Sequence, residues 1–171
     1  GKPFTADDIL FWWEDIMLNP ELTPVLDQKY QPGGQPMSVT KVDDYTVAFK
    51  VAEGYYGIRT LINKGAWEPL EYAPKHYLQQ YHIKYNADAD ALAKQNGFDH
   101  WWQLFQAKNK PFNMGMDGVQ TNPEMPSMNP WVVKELAADK IVLERNPYFW
   151  AVDTMGNQLP YIDQHLQFFT G

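Results

Sequence analysis

The sequence contains no cysteine. A disulfide framework, a thiolate zinc site, an iron–sulfur cluster and a cysteine nucleophile are therefore excluded. Basic residues are in the minority, with 14 Lys and Arg against 21 Asp and Glu, a formal net charge of −7. The deficit is even along the chain: residues 1–85 hold 8 basic and 11 acidic side chains, and the remainder 6 and 10. Without a basic run or half, the pattern argues against nucleic-acid binding, which needs clustered Lys and Arg to neutralise phosphates. No apolar run approaches the ~20 residues that cross a bilayer. Gly1-Lys2-Pro3-Phe4 leads straight into a helix cap, so no targeting segment is visible; in an exported parent that segment is expected to have been removed. Serine is scarce, limited to Ser38 and Ser127, and neither sits in a G-x-S-x-G elbow. The phosphate-binding patterns G-x-G-x-x-G and G-x-x-x-x-G-K-[ST] are absent.

Aromatic residues are abundant, with 7 Trp, 10 Tyr and 9 Phe among 171 residues. A chain of this length fits one domain or a compact piece of a larger one, and can bury roughly 70% of its unfolded surface. Thirteen prolines and 11 glycines make it turn often. An acidic, aromatic-rich, loop-rich chain fits extracellular binding of an organic ligand.

The pattern along the chain predicts mixed elements. Thr5-Ala6-Asp7-Asp8 reads as a capping box with Asp in place of Glu, and Asp7 and Asp8 suit the positive end of a helix. Ile9, Trp12, Trp13, Ile16 and Met17 follow at helical spacing until Asn19-Pro20. Met37–Val42 and Tyr45–Val51 alternate as a hairpin about Asp43-Asp44, with Tyr45, Val47, Phe49 and Val51 on the buried face. Short elements are expected at Ile58–Asn63 (helix) and Trp67–Tyr72 (strand). Pro74 opens a helix to about His82, Asn86 caps one over Ala87–Gln95, and Asp99 caps one over His100–Lys108. Asn109–Pro130 is the least regular stretch, and a loop of that length is usually functional or packed on something. Trp131–Leu136 and Lys140–Arg145 read as a second hairpin about Ala137-Ala138-Asp139, and Tyr161–Phe169 as a returning strand. The sum is α+β: mostly antiparallel hairpins with several helices.

Catalytic patterns are weak. The four histidines show no H-x-x-x-H or H-E-x-x-H spacing, so no metal ligand set is expected. Asn86, Asp88 and Asp90 mimic the start of a calcium loop, but Gly is missing at its sixth position and Gly97 replaces its final Glu. Asp43, Asp44 and Asp153 could serve a glycosidase only if two of them faced each other across a sugar; carboxylates in turns are more commonly turn formers. No catalytic residue, cofactor or metal is expected. Trp12, Trp13, Trp101 and Trp102 sit at helical spacing and read as core. Tyr55, Tyr56, Trp67 and Trp131 lie in or beside loops and are better ligand candidates.

Four segments resemble one known family. Gly1-Lys2-Pro3-Phe4-Thr5-Ala6-Asp7-Asp8-Ile9, Val42–Phe49, Ala73-Pro74-Lys75-His76, and Arg145–Trp150 followed by Pro160-Tyr161-Ile162-Asp163 are similar, in the same order, to motifs of the extracellular solute-binding proteins, family 5. Residues 1–85 and 131–169 carry the likeness, while 86–130 resemble the family loosely and are expected to be a subgroup insertion with a long loop. Where the family usually has GTGPY, near its cleft, Ser127-Met128-Asn129-Pro130-Trp131 stands here. The resemblance implies that residues 1–171 are one fragment, an inner part of the first lobe of a periplasmic-binding-protein type II-like fold. It also implies an extracytoplasmic, periplasmic or lipoprotein-anchored location. The expected partners are a solute, foremost an oligopeptide, a C-terminal lobe of the same protein and ABC permease subunits. By their place in the pattern, Asn129 and Trp131 are the foremost cleft residues, with Tyr55 and Tyr56 behind them. The other readings of the residues are a glycan-binding module or sugar-binding transport protein, a glycosidase piece, and a structural domain whose aromatics are all core.

Overall fold

A computed structural model describes residues 1–51, 72–110 and 122–168. Helices and antiparallel sheets are both present, the α+β arrangement that the sequence pattern predicts. The expected helix Ile58–Asn63, all but the last residue of the strand expected at 67–72, and the ligand candidates Tyr55, Tyr56 and Trp67 lie outside the described residues. The chain divides into two compact units, Lys2–Gln106 and Ala107–Gly171, with Gly1 joining the latter.

In Lys2–Gln106, helix α1 (Ala6–Leu10) starts after an extended Thr5, whose N–H donates to Asp8 Oδ2 at 2.9 Å. The helix continues through Phe11–Met17 with wider π turns, so that Leu18 N–H reaches Trp13 O at 3.0 Å. The wider turn changes which side chains face inward. Phe11, Trp12, Trp13 and Asp15 are buried, while Ile9, Ile16 and Met17, expected on the apolar face, are half-buried. Asn19 Oδ1 accepts Glu21 N–H at 2.9 Å and closes the segment as the Asn-Pro pair predicts. Asp8 does more than cap its own helix. Its Oδ1 accepts Lys75 N–H at 3.0 Å and its carbonyl accepts Ala73 N–H at 3.1 Å, which ties α1 to the start of α2 (Lys75–Leu78).

Strands β1 (Ser38–Asp43) and β2 (Thr46–Lys50) pair antiparallel, with a bulge between Lys41 and Asp43. Tyr45, expected on the buried face of the second strand, stands in the turn and is exposed, because Asp43 Oδ1 takes its N–H at 2.8 Å and closes the turn one residue later. Helices α3 (Ala89–Gln95) and α4 (Trp101–Lys108) each begin later than the sequence predicts. The cap of α4 also differs from the expected Asp99. Trp101 N–H donates to Asp90 Oδ1 at 2.8 Å, and Gln103 Oε1 accepts from Asp99 N–H at 2.9 Å and His100 N–H at 3.0 Å. The cap comes partly from the preceding helix, which local spacing cannot reveal.

The core of this unit is aromatic. Trp12, Trp13 and Trp101 are buried as their spacing predicts, and Trp102 is half-buried with its ring stacked near that of His100. His82 is 2% exposed and packed among the rings of Phe11, Tyr85, Trp101 and Phe105 at 4.6–6.0 Å. Its Nδ1 accepts Lys84 N–H at 3.1 Å, which fixes the proton on Nε2, 3.0 Å from Asp15 O. The Asp15 carboxylate, also buried, accepts Lys84 Nζ at 2.6 Å and Tyr85 Oη at 2.5 Å. Burial, and then this bond to Asp15, push the Tyr85 hydroxyl up to about 12.

In the second unit, β3 (Trp131–Leu136), β4 (Lys140–Arg145) and β5 (Gln164–Phe168) form an antiparallel sheet in that order. β3 and β4 keep the predicted limits. β5 starts at Gln164 rather than Tyr161, where its ladder to Glu144 begins. A bulge between Val133 and Glu135 bends β3. Ile141 and Leu143 are buried on one face, with Trp131 and Val133 packed against them.

Burial holds the His82 imidazole below its ordinary pKa of 6.5, so the folded state favours the neutral ring. The unfolded chain binds the extra proton first, so stability that is full above pH 6.5 is lost progressively as pH falls below 6.5 through the lower folded value. Thermal unfolding followed between pH 7.5 and 5.5 is expected to show a falling midpoint, and His82→Gln to flatten the slope while lowering the midpoint at pH 7.5. An equal slope in both proteins would remove His82 as the cause.

Candidate functional site

Asn129 and Trp131 lie together where the irregular stretch enters β3, both half-buried. Asn129 is held by its backbone. Its N–H donates to Ser127 Oγ at 3.0 Å, a local turn of the kind serine favours. Its carbonyl accepts from the carboxamide of Asn146, Nδ2 to O at 2.8 Å.

Asn146 sits just after β4 and is 3% exposed. Every polar group of this residue is used across the turn. Nδ2 also donates to Ser127 O at 3.1 Å, and Oδ1 accepts Tyr148 N–H at 3.0 Å. Its backbone N–H donates to Pro130 O at 2.9 Å, and its carbonyl accepts Phe149 N–H at 3.1 Å. One buried side chain thus fastens Ser127–Pro130 to the end of β4. The Asn146-Pro147 pair was legible as a turn motif, but its grip on a segment about 17 residues earlier was not, because a carboxamide's partners leave no periodic mark.

Trp131 opens β3 opposite Arg145, and its ring lies 6.1 Å from that of His165 on β5 at an edge-on angle. The indole packs against the sheet core and stays partly exposed. The turn after Asn146 is clamped by Gln158 Nε2, which donates to Pro147 O at 2.9 Å and Phe149 O at 2.8 Å. It leaves Tyr148 and Trp150 exposed at 72% and 78%. Nearby in sequence, Asp153 is the hub of a polar loop. Its carboxylate accepts the N–H groups of Met155 and Asn157, the Asn157 side chain, and Tyr161 Oη at 2.6 Å. The Tyr161 and Asn157 bonds hold the Asp153 carboxyl well below the usual carboxylate range, and Asp153 in turn raises the Tyr161 hydroxyl. Asp153 is thus a loop former, with its oxygens committed. Among the described residues, no group of three or more His, Asp or Glu is placed to hold a metal ion. No described helix is long and apolar enough to cross a membrane.

A family model for bacterial extracellular solute-binding proteins, family 5 Middle, matches residues 1–166. The chain belongs to this family. It is 32% identical over 165 residues to the periplasmic alpha-galactoside-binding protein of Rhizobium meliloti (strain 1021), covering 96% of this chain and 20% of that protein. Among solved structures it is similar to the periplasmic binding protein MelB of Agrobacterium fabrum C58 in complex with stachyose, with a TM-score of 0.67 and 29% identity. That match covers 99% of this chain and 22% of MelB. An oligopeptide-binding protein of Thermus thermophilus, complexed with a pentapeptide, superposes with a TM-score of 0.61 at 19% identity, over 99% of this chain and 26% of that one. This last likeness shows the fold alone. The chain spans about a fifth of the length of the alpha-galactoside-binding protein and of MelB.

In this family-5 chain, Trp131→Ala is expected to destabilise the second unit by about 2 kcal/mol, the loss for a half-buried aromatic beside Ile141 and Leu143. Trp131→Phe should recover most of it. Denaturant unfolding of the two variants checks this, and an unchanged midpoint for Trp131→Ala would mean that the indole adds nothing to the packing.

Proposed function

We propose that this chain is part of the substrate-binding component of an ABC importer, which captures an extracytoplasmic oligosaccharide between two lobes and delivers it to a membrane permease. The observation that carries the reading is family membership over residues 1–166, joined to the 32% identity with an alpha-galactoside-binding protein. In this reading no bond is made or broken. Affinity comes from burial of the solute in a cleft with a few polar groups fixing its orientation, and closure is a population shift driven by the solute. Residues 86–130 are the subgroup insertion, and Ser127–Trp131 contribute to the wall of the cleft; Tyr55 and Tyr56 stay ligand candidates on the sequence pattern alone. Trp131 offers an aromatic flank of the kind that packs on a sugar ring.

An oligopeptide is the other solute that the family resemblance implies. The backbone of Ser127–Pro130 favours the sugar. A peptide that adds itself as a strand needs free alternating N–H and C=O groups. Here Pro130 has no N–H, Asn129 N–H is donated to Ser127 Oγ, and the carbonyls of Ser127, Asn129 and Pro130 all accept from Asn146. These bonds leave little of the main chain for strand pairing, so recognition along this segment falls mainly to side chains.

Titration calorimetry of the full-length protein with stachyose and with a mixed pentapeptide library tests the reading. Micromolar or tighter stachyose binding with no peptide heat is expected; peptide binding alone would overturn it. The isolated 171-residue chain is expected to bind stachyose far more weakly than the full-length protein, since it supplies one wall of the cleft.

A further inference from the structure

We infer that Asn146 is a positioning residue for solute recognition: its buried carboxamide sets the shape of the Ser127–Trp131 wall, and affinity depends on it although it never meets the solute. The inference rests on the reading of that wall as part of the binding cleft.

The geometry is specific. Asn146 is 3% exposed, so it offers no surface to a solute. Its Nδ2 hydrogens both go to carbonyls of the wall, Ser127 O at 3.1 Å and Asn129 O at 2.8 Å, and its N–H goes to a third, Pro130 O at 2.9 Å. On the other side, Oδ1 holds Tyr148 N–H at 3.0 Å. The two ends of the carboxamide therefore couple the wall to the Asn146–Trp150 turn. A carboxylate of the same shape keeps the Tyr148 bond but cannot donate to two carbonyls, and its charge repels both. Such a change releases Ser127 and Asn129 while the backbone bond to Pro130 O and the β4 end stay in place. The second contact inside the wall, Asn129 N–H to Ser127 Oγ, is lost separately in Ser127→Ala. A wall held in one conformation has already given up the entropy that a loose one loses on binding, so releasing it weakens binding without removing any contact with the solute.

The experiment combines stachyose titration with hydrogen exchange on the full-length protein, for wild type, Asn146→Asp, Ser127→Ala and the double variant. Asn146→Asp is expected to speed exchange in the peptide covering residues 127–131, to leave β4 and β5 protected, and to weaken stachyose about 10-fold or more. Ser127→Ala should act in the same direction with a smaller effect. The double variant should be no worse than the sum in free energy, because both changes loosen one segment. Unchanged stachyose affinity in a variant whose wall exchanges faster would overturn the inference, as would a wall that stays protected in Asn146→Asp. If exchange rises throughout the sheet instead, Asn146→Ser, which removes both Nδ2 donations without burying a charge, decides: weaker binding with an intact sheet supports the inference, and unchanged binding overturns it. A wild-type protein that ignores stachyose defeats the oligosaccharide reading, not this one; the same four proteins are then titrated with the pentapeptide library, with the same outcomes.

Discussion

A polar group withdrawn from water costs several kcal/mol unless the protein supplies a partner. Both units are organised by that constraint. The buried polar side chains among the described residues are Asp8, Asp15, His82 and Asn146, and each is satisfied by groups far away in sequence or across a turn. Asp8 joins the first helix to Lys75, Asp15 joins it to Lys84 and Tyr85, and His82 returns the link to Asp15 O. Asn146 does the same for Ser127–Pro130. In the first unit aromatic rings crowd the core, but packing alone tolerates several orientations of a ring. The hydrogen bonds are what choose one arrangement among many, since a wrong one strands a donor or acceptor.

That division of labour explains what could be read from the sequence. Periodicity reports area. It therefore located β3 and β4 to the residue, the α1 region, and the buried Trp12, Trp13 and Trp101. It failed where a polar partner overrode it. Tyr45 leaves its strand because Asp43 claims its N–H, α4 is capped by Asp90 rather than Asp99, and Asp15 lies inside where Ile16 was expected. The last two depend on a donor or acceptor whose partner no spacing rule names, while the first is a local Asp turn that outweighs the alternation. The π turns over Phe11–Met17 belong with them, since they bring an acid inward to meet Lys84 and Tyr85.

The candidate site was legible to the same limited degree. Asn129 and Trp131 came forward through their place in a family pattern, and the fold places them at one junction of loop and strand. Asn146 stood in the sequence as half of an Asn-Pro turn, where its role looked local. What hid it was reach. Its carboxamide spans from the end of β4 to a segment that precedes β3, and a hairpin of ordinary length brings those two points together. Asn146 and Trp131 are thus products of the same hairpin: one inside, fixing backbone, the other at its edge, half-open.

On the proposed reading of Ser127–Trp131 as a cleft wall, this arrangement separates what the fold needs from what a solute would meet. The Arg145-Asn146-Pro147 motif resembles the family pattern, whereas Ser127–Trp131 departs from it. An anchor that binds its loop through backbone carbonyls makes that combination workable. Asn146 grips the carbonyls of Ser127, Asn129 and Pro130, and every residue type has a carbonyl, so the side chains above them can change without loosening the grip. The cost of altering the segment then falls on its exposed side-chain atoms rather than on its backbone.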